Sequence, residues 1–175
     1  MILMTMKEID FSYTCSTCGQ SHDGLASFAF SCPFYYSVLS EEDKQRSELS
    51  DDLCVVLDRD FFVRAILEIP INGLAKPFTW GIWVSQSREN FDYYFEHFRE
   101  DLRGRDTFGF FSNRLPLYPD TLELKCRVLF ESQSLRPKIH LEEAEHPLSL
   151  DFHQGITVER AKEIAEYFLH NSISG

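Results

Sequence analysis

Alternating apolar and polar residues predict most of the strands in this chain. The alternation is clearest over residues 61–69, where five apolar side chains share one face: Phe61, Val63, Ala65, Leu67 and Ile69. This is the period-two pattern of a half-buried strand. Residues 53–57 lie before it across Asp58-Arg59-Asp60, which predicts a hairpin. Further strands are predicted over 78–84, 122–130 and 135–141, the last at a sheet edge because Pro137 has no N–H to donate.

A 3.6-residue period predicts the helices. One runs from Ser87 to about residue 100, and its aromatic stripe consists of Phe91, Tyr94, Phe95 and Phe98. A second runs from Thr157, its expected cap, to about residue 170. A short polar one runs from Ser40, also an expected cap, to about residue 48. The stretch from 103 to 120 shows little periodicity, and we expect a long loop there. These elements predict an α+β fold in which helices pack on an antiparallel sheet of about five strands.

The length of 175 residues fits one domain, residues 1–175. Its beginning is organised differently from the rest, because residues 15–24 are rich in turn-forming residues and lack an apolar period. We therefore expect a knuckle-like N-terminal segment over 10–34, attached to an α+β body over 35–175.

The motif Cys15-x-x-Cys18-Gly19 gives that segment its chemistry. Two thiolates at this spacing can bind one zinc ion, and a Gly after the second lets the backbone turn towards the metal. A closed zinc site needs four ligands, and the candidates for the other two are His22, Cys32 and Cys54. Cys54 qualifies if the knuckle packs against the start of its strand, whereas Cys126 alternates with apolar residues and is interpreted as core.

Three other interpretations of the motif stay open. A thioredoxin-like redox pair requires the second Cys at a helix N-terminus, and Gly19, Asp23 and Gly24 disfavour a helix there. An iron–sulfur cluster would use Cys15, Cys18, Cys32 and Cys54. Two free thiols in a turn are the third interpretation. Zinc is the interpretation that we favour.

Candidate contact residues fall in the long loop and in the strand over 78–84. Aromatic and polar side chains there can form a binding surface: Trp83, Phe110, Asn113, Arg114, Tyr118 and Asp120. The loop's polar side chains can equally hydrogen-bond its own backbone, and we favour this second interpretation. Nucleophile elbows, phosphate loops and paired-His metalloprotease motifs do not occur in the sequence.

The charge limits the classes of partner. The formal net charge is −11 and the pI about 4.9, so we expect no binding to nucleic acid or to anionic membranes, both of which attract Lys and Arg. A basic protein partner is compatible with this charge. We recognise no secretory leader and no apolar run long enough to span a membrane. The number of cysteines, five, is odd. Together these observations predict a cytoplasmic protein with reduced thiols.

Several short segments, spread in order along nearly the whole chain, carry a family resemblance: Cys15-x-x-Cys18-Gly19-x-x-His22, Asp52-x-Cys54, Phe78-x-Trp80-Gly81-x-Trp83, Leu115-Pro116-x-Tyr118-Pro119-Asp120 and His146-Pro147-Leu148. The chain resembles a bacterial domain-of-unknown-function family, number 2199. The resemblance implies a bacterial cytoplasmic protein and implies no activity. The resemblance also implies Cys15, Cys18, His22 and Cys54 as the metal ligands, so that Cys54 is preferred to Cys32 as the fourth ligand.

The leading hypothesis is a zinc-stabilised, non-enzymatic protein-binding module. One version is an immunity-type inhibitor of a basic toxin, which would act by charge complementarity. The alternative is a small-molecule enzyme whose site is built from His22, Arg114, Asp120 or the metal. A deep pocket and an open metal position would favour the enzyme.

Overall fold

The computed structural model describes residues 11–23 and 27–171, so residue 10 and residues 24–26 of the predicted knuckle-like segment lie outside it. Strands β1 (Ser12–Thr14) and β2 (Ser21–Asp23) form an antiparallel hairpin. The other strands belong to one sheet: β3 (Ser27–Ala29), β4 (Glu48–Leu49), β5 (Leu53–Val56), β6 (Asp60–Ile69), β7 (Phe78–Gln86), β8 (Asp106–Phe110), β9 (Lys125–Leu129) and β10 (Lys138–Leu141). The helices are α1 (Phe34–Ser37), α2 (Glu41–Gln45), α3 (Arg88–His97), α4 (Pro147–Gln154) and α5 (Val158–His170). Among the described residues, none of these helices is long and apolar enough to cross a membrane.

The sheet is mixed and larger than the predicted antiparallel sheet of five strands. Its order is β3-β7-β6-β10-β9-β8, and β5 with β4 extends from β6. One edge of β6 is divided between two partners, because β5 pairs with residues 60–63 and β10 pairs at Ile66. The pairs β3–β7 and β10–β6 are parallel, and the others are antiparallel. The α+β class is confirmed, and the purely antiparallel arrangement is wrong.

The sheet curls so that the segment just after β8, at one end of the strand order, contacts β7. Just after β8, Phe111 forms an antiparallel bridge with Val84, and the N–H of Ser112 donates to the carbonyl of Trp83 at 2.9 Å. Gly109 allows this approach, since a Cβ built on it would lie 2.5 Å from the carbonyl oxygen of Ser85 and 2.6 Å from Cγ2 of Val84. The absence of a side chain at residue 109 therefore lets β8 pack directly on β7.

The edge position predicted for β10 is wrong. This strand lies between β6 and β9. Pro137 stands just before the strand and takes part through its carbonyl, which accepts the N–H of Ile66 at 2.8 Å. Its missing N–H therefore removes no hydrogen bond from the paired residues Lys138–Leu141.

The long loop predicted from 103 to 120 contains β8. The alternation of apolar and polar residues does not reveal this strand. Phe108 and Phe110 face outwards, with 47% and 39% of their surfaces exposed, whereas Gly109 is buried. The apolar residues thus lie on the solvent face of this strand, the reverse of the usual alternation.

The buried face of the sheet carries the main core. The five predicted apolar residues of β6 pack there with Phe78, Trp80, Ile82 and Val84 of β7. Helices α3 and α5 cover this core with Phe91, Tyr94, Ala161, Ile164 and Ala165. Phe168 of α5 also contacts the Trp80 ring, at 4.9 Å between centroids. This packing fixes the position of α5 and thereby brings its last residue, His170, to the β1–β2 hairpin.

The caps predicted at Ser40 and Thr157 are confirmed, and Ser87 caps the third predicted helix in the same way. Ser40, Ser87 and Thr157 each accept a hydrogen bond from the backbone N–H three residues later. Each cap satisfies one of the N–H groups that a helix start leaves without an intrahelical partner.

We expect Thr157→Ala to lower the free energy of unfolding by about 1 kcal/mol, because the N–H of Arg160 then loses its acceptor. Urea unfolding measures this change. Thr157→Ser keeps the oxygen and serves as the control, with a loss well below that of the Ala variant. Equal losses in the two variants would show that the cap is not the cause.

Candidate metal centre

The β1–β2 hairpin brings three of the predicted ligands to one end. Cys15 follows β1, and a turn over residues 16–18 leads to Gly19, whose φ of +70° suits glycine. Two backbone hydrogen bonds close the turn: Cys15 N–H donates to the Gln20 carbonyl at 2.8 Å, and Gly19 N–H donates to the Cys15 carbonyl at 2.9 Å. In β2, His22 pairs with Tyr13 of β1. The Sγ atom of Cys18 lies 3.6 Å from Nε2 of His22.

His170, the last residue of α5, completes the group. Its Nε2 lies 2.9 Å from Sγ of Cys15, and the ligand atoms of Cys15, Cys18, His22 and His170 all lie within 4.8 Å of one another. Zn–S and Zn–N bonds of about 2.3 and 2.0 Å in a tetrahedron place neighbouring ligand atoms about 3.5 Å apart. The four side chains are therefore close to the spacing that a single ion requires.

Cys15 is held in an environment that favours the thiolate. Its side chain is 1% exposed, and this burial raises its pKa. The backbone N–H groups of Cys18 and Thr17 and the side chains of His170 and Cys18 hydrogen-bond the sulfur and outweigh the burial, so the pKa falls to about 6. The lowered pKa favours the thiolate of Cys15, the form that binds metal ions.

Hydrogen bonds that need no metal also hold the turn against α5. The backbone N–H of Ser16 donates to Oε1 of Glu166 at 2.7 Å, and its hydroxyl donates to Oε2 at 2.5 Å. Both bonds, with Lys162 at 3.7 Å, lower the pKa of Glu166. Glu166 lies one helical turn before His170, so this contact holds the turn beside His170.

A family model agrees with the resemblance. The family described as "Uncharacterized protein conserved in bacteria (DUF2199)" matches residues 14–156. The chain belongs to this family. The matched range includes Cys15, Cys18 and His22, whereas His170 lies beyond its end. No curated protein and no solved structure matches the chain.

The structure does not bring Cys54 to the other three predicted ligands of this DUF2199 member. Cys54 lies on β5, fully buried in a second apolar cluster with Val56, Phe62 and Trp83. Burial there, with a smaller effect from Cys32, raises its pKa to about 12 and keeps it a thiol. Cys32 is half-buried and its pKa is also raised by burial. His170 therefore takes the place that the sequence interpretation gave to Cys54.

The sequence offers little that would have identified His170. It lies 155 residues from Cys15, in the last turn of a helix, where a His is expected for its favourable interaction with the helix dipole. The only available signal was the helix itself: once α5 packs on the sheet, its C-terminal end must lie near some other part of the chain.

The predicted contact residues do not form one exposed surface. Trp83 and Asn113 are buried, and they bind each other: the N–H of Trp83 donates to Oδ1 of Asn113 at 2.7 Å. The Tyr118 hydroxyl donates to Asp151 at 2.7 Å, and Arg114 pairs with Asp120 at 3.2 Å while lying over the Phe34 ring. Phe110 is exposed. Most of these side chains thus hold the segment in place through β7, α4 and one another, whereas the favoured interpretation was hydrogen bonding to the loop's own backbone.

Proposed function

We propose that this chain is a zinc-stabilised, non-enzymatic protein-binding module whose metal centre consists of Cys15, Cys18, His22 and His170. The observation that carries the metal assignment is the convergence of two thiols and two imidazoles, from a hairpin and a distant helix, within 4.8 Å. Sulfur and imidazole ligands in equal number suit Zn²⁺, which favours tetrahedral sites of this composition.

The ligand count supports a structural role for the ion. Catalytic zinc keeps three protein ligands and leaves the fourth position for water or substrate, whereas structural zinc has four protein ligands. Here four side chains offer ligand atoms within 4.8 Å of one another, enough to fill all four positions around one ion, which would join β1–β2 to the end of α5. This arrangement favours a structural ion over the enzyme alternative.

The protein-binding role rests on the surface of the chain. The formal charge of −11 favours attraction of a basic protein. Several large apolar side chains are exposed, among them Phe95, Phe108 and Phe110, and such residues are common in protein interfaces.

Metal analysis of ligand variants tests the zinc proposal. Protein purified without a His tag and without added metal is analysed by elemental mass spectrometry. We expect about one zinc per chain in the wild type and in Cys54→Ala, because Cys54 lies outside the group. We expect far less zinc in Cys15→Ala and in His170→Ala.

Each outcome decides a part of the proposal. Zinc retained in His170→Ala but lost in Cys54→Ala would restore the ligand set predicted from the sequence. Absence of metal from the wild type would contradict the zinc centre as a whole. Zinc retained in His170→Ala and in Cys54→Ala would leave a three-ligand site with an open position, which contradicts the structural role.

A further inference from the structure

We propose that an acidic groove beside α3 binds a basic segment of a partner protein. The groove consists of two clefts of about 580 and 380 Å³ between α3 and strands β4 and β5. Ser50, Leu53 and Phe95 line both clefts, so the two lie side by side. The proposal rests on the protein-binding role but not on zinc, because none of the residues that line the groove belongs to the metal centre.

Apolar side chains form the walls of the acidic groove. Phe95 is 64% exposed although it continues the aromatic stripe of α3, in which Phe91 and Tyr94 are buried. Leu49 of β4 is 40% exposed, and Leu53 is half-buried between the two clefts. An exposed Phe beside a concave surface offers a large apolar contact to a partner side chain.

Carboxylates are in excess around these walls. Three arginines line the two clefts, Arg46, Arg88 and Arg99, against six carboxylates: Glu48, Asp52, Asp58, Asp92, Glu96 and Glu100. Arg88 already contacts two of the six, Asp58 at 3.4 Å and Asp92 at 3.7 Å. Within the described part of the chain, Glu48, Glu96 and Glu100 have no ion-pair partner.

The excess of negative charge in the acidic groove favours a basic segment as its binding partner. Lys and Arg side chains would pair with the free carboxylates while an apolar neighbour contacts Phe95. A second copy of this chain is disfavoured, because each copy carries −11 charges and its own acidic groove. Strand β4 pairs with β5 and with no other described strand, so an extended segment can lie along its outer edge.

The exposed surface around Phe108 and Phe110 is the alternative site for binding a partner protein. These two rings pack edge to face at 4.9 Å on β8 and lie opposite Arg127 and Lys125 of β9. Basic side chains beside exposed aromatics suit an acidic partner rather than a basic one. The two surfaces therefore differ in the peptides that they select.

A random 12-residue peptide library, displayed and selected on the intact protein, tests the acidic groove. We expect the enriched peptides to carry net positive charge and at least one large apolar residue. Synthetic copies are then measured by fluorescence anisotropy, and their affinity should fall with salt because opposite charges attract across the interface. Amide hydrogen exchange should slow in residues 48–55 and 91–100.

Variants assign the binding to the acidic groove. Phe95→Ser and the double variant Glu96→Lys/Glu100→Lys should each weaken binding about tenfold or more, the size expected when a central interface contact is lost. Phe108→Ser is the matched control, since it makes the same change at another exposed Phe and should leave the affinity unchanged.

The other outcomes overturn the proposal in distinguishable ways. Enriched acidic peptides, or binding lost in Phe108→Ser alone, would assign partner binding to β8 and leave the protein-binding role intact. Failure to enrich any sequence would contradict both the acidic groove and the protein-binding role, while the zinc assignment would still stand on metal content. A dimer in light scattering that Phe95→Ser dissociates would replace the partner protein by a second copy.

Discussion

Removal of zinc should lower the melting temperature of the wild-type protein by about 5–15 °C. A ligand that binds the folded state alone stabilises it by about 2.7 to 4.1 kcal/mol when it is present at 100 to 1,000 times its dissociation constant. For a chain of this length, each kcal/mol shifts the melting temperature by about 2–4 °C. The effect is large here because the ion would join residues 155 positions apart, Cys15 and His170.

Differential scanning calorimetry of the protein before and after treatment with a chelator measures this shift. Cys15→Ser should melt at the temperature of the metal-free wild type and should not respond to the chelator. Cys32→Ser is the matched control, because Cys32 is a half-buried Cys outside the metal group, and it should keep the full shift.

The loss of stability should be local as well as global. The hairpin contacts α5 through the proposed metal ligands and through Ser16 and Glu166. In the metal-free protein the hydrogen bonds of Ser16 with Glu166 and of Cys15 with His170 remain, but no ion joins the four ligands. Hydrogen exchange should then accelerate in residues 12–23 and in the last turn of α5, and change little in β6 and β7. Zinc loss without a change in melting temperature would contradict a structural ion and would favour the enzyme alternative.

The sequence was most informative where a residue's role depends on its neighbours in the chain. Alternation found β5, β6 and β7, and the helix starts at Ser40, Ser87 and Thr157 agree with the prediction, the first and the last of them from their caps. The turn at Cys15 is likewise local, because its geometry depends on Gly19 and the adjacent backbone.

Features that depend on distant pairing were not predictable in this way. The parallel partners of β3 and β10 follow from the path of the whole chain, which residues 27–29 and 138–141 do not encode by themselves. His170 joins the metal group only because α5 packs against Trp80 and its neighbours. Trp83 is a predicted contact residue, but its ring is buried in the second apolar cluster, where its Nε1–H donates to the Phe30 carbonyl at 3.0 Å.

Gly109→Ala should lower the free energy of unfolding by about 3 kcal/mol, at the upper end of the cost of overpacking. The new Cβ would meet the backbone carbonyl of Ser85 at 2.5 Å, and a backbone atom cannot move aside as the end of a flexible side chain can. Strand β8 would have to withdraw from β7, and two hydrogen bonds near this contact would weaken: Ser112 N–H to the Trp83 carbonyl and Phe110 N–H to Ser85 Oγ.

Gly104→Ala separates this steric effect from the general cost of replacing a glycine. Gly104 has a φ of +86° and open space where its Cβ would stand, so its replacement should cost only about 1 kcal/mol of backbone strain. Urea unfolding of both variants gives the comparison, and hydrogen exchange at Phe110 and Ser112 locates the damage. A loss in Gly109→Ala no larger than that in Gly104→Ala would mean that β8 does not pack tightly on β7. The curled sheet would then be open at this point, and the exposed rings of Phe108 and Phe110 would lie on a free edge strand.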